Sequence, residues 1–103
     1  MPLPADEYAQ TSLHVPEDLR EAGFDVTAEL RVDFTGLTAA STPEILFGSA
    51  NFGPTADGQQ IADIRRYRCQ VPVQSIGQGA NRVMVKVQES SAKLAGAELW
   101  IHR

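Results

Sequence analysis

Residues 67–87 constrain the fold more than any other part of the chain, because they hold two strand-like segments around a turn. Apolar and polar side chains alternate in residues 67–73 and again in residues 82–87, and a period of two residues is typical of a β-strand with one buried face. The connection between them is rich in Gly and ends at Asn81, as in a turn between antiparallel-type strands. The pattern favours a β-sandwich, a fold used more for packing and binding than for chemistry.

Other segments repeat this pattern. In residues 26–34 the alternation is complete, with every apolar side chain on one face and every polar one on the other. We expect further strands at residues 13–15, 44–47, 61–73, 82–88 and 97–101, and one or two helical turns at residues 16–23. Pro72 cannot donate a ladder hydrogen bond, so its strand should end, bulge or lie at an edge there. With no longer amphipathic helix, the sequence predicts an all-β antiparallel sandwich of seven or eight short strands.

Composition limits the partners and the compartment. The chain has 103 residues, a net charge of −4 and one cysteine, Cys69. The acidic balance argues against nucleic acid or an anionic membrane as a partner, and no stretch holds the roughly 18 apolar residues of a membrane span. No signal peptide is visible, which predicts a cytoplasmic protein if Met1 is the native start. We interpret residues 1–10 as a tail or linker and residues 11–103 as one domain.

Each candidate catalytic or metal-binding residue can also be explained by a purely structural role. Cys69 with His14 or His102 could form a thiol nucleophile and its base, but Cys69 shares the apolar face of its strand and is expected to be a small buried hydrophobe. Asp57 and Asp63 could hold calcium, although Asp is more often simply a turn residue. Neither zinc-ligand spacing nor a catalytic motif occurs. The sequence therefore predicts no catalytic residues, no metal and no cofactor.

Candidate binding residues cluster on two strands. Trp100 is out of phase with its core-facing neighbours, so its indole should be exposed, where it can stack on a sugar ring or contact a protein. Arg66 and Arg68 share the solvent face of one strand and could hold a carboxylate or an anionic sugar; the alternative is a charged face that prevents unwanted strand pairing. Tyr67 lies between them in sequence and completes the predicted carbohydrate- or partner-binding set.

The chain also resembles galactose-binding-like β-sandwich domains, in particular accessory domains near the C-terminus of bacterial glycoside hydrolases. The residues that carry the resemblance are Val71-Pro72-Val73, Ile76, Gly79, Asn81 and residues 83–87 and 97–101, with residues 13–19 and 28–32 upstream. It implies a jelly-roll sandwich without catalytic residues and, in some cases, with carbohydrate binding. From the residues alone, Gly79 and Asn81 tolerate positive φ for a sharp turn, and Ile76 is expected to plug one end of the sandwich.

Three functional hypotheses follow. The first is a non-catalytic accessory domain that packs against an enzyme body, resembling those of glycoside hydrolases. The second is a carbohydrate-binding module that uses Trp100 with Arg66, Arg68 or Tyr67. The third is a small interaction protein that buries an exposed sheet edge in a homodimer. Hydrolase activity of the isolated chain is the outcome that the sequence favours least.

Overall fold

The computed structural model describes residues 2–16, 26–38, 41–52, 58–89 and 91–102. These residues form eight strands: β1 (Tyr8–Val15), β2 (Thr27–Thr35), β3 (Glu44–Phe47), β4 (Ala50–Asn51), β5 (Gln59–Ile61), β6 (Ile64–Val71), β7 (Gly79–Lys86) and β8 (Lys93–His102). A 3-10 turn, Val73–Ser75, follows β6. None of the described residues belongs to a helix long and apolar enough to cross a membrane. The predicted helical turns at residues 16–23 lie almost wholly outside the described residues.

The strands form two antiparallel four-stranded sheets. Sheet I has the order β5-β6-β2-β8, and sheet II has the order β1-β7-β3-β4. Their inner faces pack together around one hydrophobic core. The predicted all-β antiparallel sandwich is therefore confirmed, and the arrangement is compatible with a jelly-roll topology.

The core is built by the alternation seen in the sequence. On β2, Leu30, Val32 and Phe34 are fully buried, while the intervening polar residues face outward. On β7, Val83 and Val85 are each 1% exposed, and they cover the β2 side chains from sheet II. Each fully buried side chain of this size contributes roughly 1.5–3 kcal/mol of transfer free energy. This packing holds the two sheets rigid, and so fixes the positions of the outward-facing side chains.

The connection that follows β6 crosses between the sheets. The two strands of residues 67–87 are antiparallel-type strands as predicted, but they are not a hairpin, because β6 belongs to sheet I and β7 to sheet II. Ile76 within the connection is fully buried, as its predicted role as a plug requires. Gly79 has a φ of 95°, a conformation that Gly adopts without steric cost. Asn81 has no positive φ, and its contribution is its side chain, which bonds the backbone of Gly77 and Gly79.

The structure differs from the sequence interpretation at two places. Residues 1–10 are not simply a tail: Leu3 is 4% exposed in the core, its N–H donates to the carbonyl of Ala92, and β1 begins at Tyr8. The predicted single strand at residues 61–73 is a hairpin of β5 and β6 that ends at Val71, directly before Pro72. Its turn contains Ala62 at a φ of 54°, which no Gly or Asn marks in the sequence.

Candidate functional site

The outer face of sheet I collects most of the polar side chains that the alternation predicts to face solvent. Register places Trp100 of β8 beside Glu29 of β2, Glu98 beside Arg31, and Arg66 of β6 beside Asp33. Residues paired directly in antiparallel strands point to the same side of a sheet. We call this surface the Trp100 face, and its residues are Glu29, Arg31, Asp33, Arg66, Arg68, Glu98 and Trp100.

Trp100 is the exposed aromatic side chain of this face. It is 41% exposed, and the Arg31 guanidinium lies over its ring at 4.0 Å from the ring centroid. The indole N–H donates to Glu98 Oε2 at 2.9 Å. The Arg31 side chain is only 19% exposed, so the guanidinium forms an inner layer and the indole an outer one. A cation over a ring face is attractive, so Arg31 and Glu98 hold the indole in a fixed orientation on the sheet.

Ion pairs within the Trp100 face hold two of its arginine side chains in place. Arg31 Nε donates to Glu29 Oε2 at 2.6 Å, and this hydrogen bond is the main reason that the pKa of Glu29 lies below its usual value. Arg66 donates twice to Asp33, at 2.8 and 3.1 Å. These bonds raise the pKa of Arg66, and their bidentate geometry is the strong form of an Arg–carboxylate pair.

The structure separates the four predicted binding residues into two groups. Trp100, Arg66 and Arg68 lie on the Trp100 face, as predicted from their phase along the strands. Tyr67 points the other way: it is 1% exposed and its ring packs edge-on against Phe34 at 5.7 Å. A ligand on the Trp100 face cannot reach the Tyr67 side chain, so we leave Tyr67 out of the site. In the sequence, Tyr67 stands between Arg66 and Arg68, and this alternation already indicates that its side chain points to the core.

A shallow open cleft of about 280 Å³ borders the Trp100 face. Its wall includes Thr27 and Gln70 of the outer face, and the chain around Pro72 closes one side. Gln70 pairs with Glu29, which in turn pairs with Trp100. The Gln70 side of the cleft therefore lies two strands away from the indole, roughly 9–10 Å across a sheet, whereas Thr27 lies on β2, the strand next to β8.

The other candidate groups do not assemble into a chemical site among the described residues. Cys69 is 7% exposed, and burial raises the pKa of its thiol to about 11, which leaves it protonated and unreactive near neutral pH. Among the described residues, no group of three or more His, Cys, Asp or Glu side chains could hold a metal ion. Asp57, one of the two predicted calcium ligands, lies outside the described residues. The buried Tyr67 hydroxyl finds no hydrogen-bond partner in the described structure.

Sequence reasoning did not identify the part played by Glu29, Arg31 and Glu98. The alternation already placed Glu29 and Arg31 on one face of their strand. Their proximity to Trp100 depends on the register between β2 and β8, which residue patterns within one strand do not specify. No model of a known protein family matches the chain, and no curated protein is significantly similar to it.

Proposed function

We propose that this sandwich is a non-catalytic carbohydrate-binding domain and that the Trp100 face is its binding surface. The observation that carries the proposal is the indole itself, exposed on a rigid sheet and held by Arg31 on one side and Glu98 at its edge. An indole fixed before binding loses little conformational entropy when a ligand stacks on it. The flat apolar side of a pyranose ring is a ligand of matching shape.

The surroundings of the indole supply the polar contacts that sugar hydroxyls need. Glu98 and Glu29 offer carboxylate acceptors, and Arg68 offers guanidinium donors on the exposed side of β6. Hydrogen bonds to charged groups are stronger than those between neutral groups. The cleft beside Gln70 extends the surface beyond one ring, so an oligosaccharide of two or more units fits better than a monosaccharide.

The charge of the face also supports a polar ligand. Arg66 and Arg31 are each paired to a carboxylate of the same face, and burying these pairs under an apolar protein surface would carry a desolvation cost. A hydrated oligosaccharide leaves much of the face in contact with water and does not require that cost. The resemblance to accessory domains of glycoside hydrolases suggests that the sugar is the polymer on which an attached enzyme acts.

A glycan array followed by calorimetric titration of its best ligand tests the proposal. Trp100→Ala should weaken binding by about tenfold or more, which corresponds to about 1.4 kcal/mol. Tyr8→Ala is the matched control, because Tyr8 is the comparably exposed aromatic side chain (45%) on the outer face of sheet II. Absence of any glycan ligand, or equal losses in the two variants, would refute the proposal.

A second candidate function is packing against an enzyme body, and the outer face of sheet II favours it. Tyr8 is exposed there, and the half-buried side chains of Met84 and Leu46 lie on the same face. Lys86 lies 5.3 Å from the centroid of the Tyr8 ring and 3.4 Å from Glu44. Aromatic side chains and Met are enriched in protein interfaces, so this face suits contact with a larger domain.

The second candidate is tested in the polypeptide that the native reading frame encodes. If the sandwich packs against a neighbouring domain through sheet II, Tyr8→Ala should lower the unfolding temperature of the joined domains more than that of the sandwich alone. Trp100→Ala is the control, because it alters the opposite sheet. A reading frame without a further domain, or equal shifts in both contexts, would refute packing.

A further inference from the structure

Strand β8 presents a long open edge. It has ten residues, Lys93–His102, and is the outermost strand of sheet I. Within the part of the chain that the structure describes, backbone pairing to its outer edge occurs only near its start, where Pro2 bridges to Lys93 and Leu3 bonds Ala92, although β1 also approaches β8 from sheet II. From Gly96 to His102 the described residues pair with it only from the β2 side. Such an edge offers unpaired backbone N–H and C=O groups to another strand.

The open part of β8 has little of the usual protection of an edge, because Glu98 is its one charged side chain. Proteins block edge pairing with Pro, with charged side chains, Lys above all, or with a bulge. In β8 both Lys93 and the irregularity at Ala95 lie in the first half of the strand, where register shifts opposite Asp33 and Phe34. Residues 96–102 contain neither Pro nor Lys. The half that is regular in geometry is therefore also the half that is open to pairing.

We propose that a second copy of this chain pairs with this edge, antiparallel, with the two-fold axis at Trp100. Antiparallel self-pairing about one residue places side chains at equal distances from it opposite each other. With Trp100 at the axis, Glu98 faces His102 of the second copy, and Leu99 faces Ile101 of the second copy. All of these side chains are exposed or half-buried in one copy.

Charge complementarity favours this register. An axis at Leu99 would place Glu98 opposite Trp100 and His102 opposite Gly96, and so would form no acid–imidazole pair. An axis at Glu98 would place two carboxylates opposite each other, which is unfavourable. An axis further toward Ala95 would run the pairing into the irregular half of β8. The Trp100 axis gives two acid–imidazole pairs, two apolar pairs and one aromatic pair, and such cross-strand pairs stabilise a sheet. It joins the two copies of sheet I into one continuous sheet of eight strands.

The dimer also enlarges the Trp100 face. The two indoles lie side by side at the axis, since directly opposed residues have Cα atoms about 4.5–5.5 Å apart. Pairing of five residues from each copy, 98–102, buries less surface than the roughly 800 Å² per partner of a standard interface. We therefore expect a reversible monomer–dimer equilibrium in the micromolar range or weaker, independent of whether the face binds sugar.

Sedimentation velocity over a wide concentration range tests the equilibrium, with paired substitutions at His102. His102→Glu places four carboxylates around the axis and should weaken the dimer by about tenfold or more. His102→Lys is the matched control and should leave the dimer as tight as wild type or tighter. A chain that stays monomeric at the highest soluble concentration, or a dimer that both variants leave unchanged, overturns the proposal.

Cysteine crosslinking tests the register directly. In a Cys69→Ala background, Trp100→Cys puts two thiols opposite each other within disulfide range, and mild oxidation should yield a covalent dimer. Glu98→Cys is the control, because the axis separates its two thiols by four residues, roughly 13 Å along the strands. Circular dichroism confirms that both variants keep the sheet structure. Equal crosslinking of the two variants, or more crosslinking at position 98, overturns the register.

Discussion

Replacing Asn81 by Ala should be among the most damaging changes outside the hydrophobic core. Asn81 is 5% exposed, and its side chain spans the turn before β7. Its Oδ1 accepts the N–H of Gly77 at 2.8 Å, and its Nδ2 donates to the carbonyls of Gly77 at 2.8 Å and Gly79 at 3.2 Å. Alanine removes all three bonds and leaves part-buried backbone groups without partners. At about 1 kcal/mol for each bond, plus the desolvation of an orphaned group, we expect a loss of roughly 2–4 kcal/mol.

Urea unfolding followed by circular dichroism measures this loss. Gln78→Ala is the matched control in the same connection: Gln78 is exposed, and its one side-chain bond among the described residues is to the Pro16 carbonyl at 3.0 Å, so the change should cost less than about 0.5 kcal/mol. Asn81→Asp keeps the acceptor but not the donors, and it should fall between the two. If Asn81→Ala unfolds within about 0.5 kcal/mol of wild type, the turn does not depend on the side chain and the reasoning is wrong.

Three further predictions concern other parts of the fold. Gly36→Ala should destabilise by about 2 kcal/mol or more in thermal unfolding, because φ is 75° and the new Cβ would lie 2.4 Å from a backbone oxygen; Gly96→Ala, with open space around it, should be near neutral, and equal losses would contradict this. Burial raises the pKa of Cys69 from 9.0 to about 11, so stability should be level below pH 9 and fall by about 2–3 kcal/mol toward pH 11; Cys69→Ala should lack that component in pH-dependent urea titrations. Arg31→Gln should shift the emission of Trp100, the one Trp of the chain, to longer wavelength, and an unchanged spectrum would show that Arg31 does not cover the ring.

The sequence predicts the faces of the strands better than their partners. Alternation in residues 26–34 correctly assigns each β2 side chain to the core or to solvent, because a period of two leaves only two directions. The same pattern in residues 67–87 does not show that β6 and β7 lie in different sheets. Partner choice depends on how distant segments pack, and the connection at Ile76 is long enough to cross the sandwich.

The short strands and the burial of the N-terminal segment could not be predicted from alternation, for a different reason. The three-residue strand β5 is too short to show a period, and all of its side chains are exposed. Leu3 stands alone among Pro residues in the sequence, so its burial depends on the space left beside Ala92 at the end of the core. A single apolar residue gives no periodic signal.

For the candidate site, the alternation along β8 was enough to predict that Trp100 is exposed, but not which residues lie around it. Arg31 and Glu98 are sixty-seven residues apart in sequence, and β2–β8 register brings them opposite each other. Arg66 was predicted to be available to a ligand, but Asp33 binds it with two hydrogen bonds. Arg68 is exposed and forms no ion pair with any described residue, so it is the cation of β6 that we expect a ligand to reach most directly.

The two proposals meet on β8 and can be separated by substitution. Trp100 belongs to both, since it is the stacking surface of the face and the residue at the dimer axis, so Trp100→Ala should weaken sugar binding and self-association together. His102→Glu changes the edge of β8 but leaves Trp100 in place. Arg31→Gln removes the guanidinium that holds the indole, and Arg31 lies on β2, away from the edge. If the dimer presents two sugar sites to one polymer, His102→Glu should reduce binding to a long polysaccharide more than binding to a short oligosaccharide, because only the long chain can engage both copies. Equal reductions for the two ligands would show that each Trp100 face acts alone.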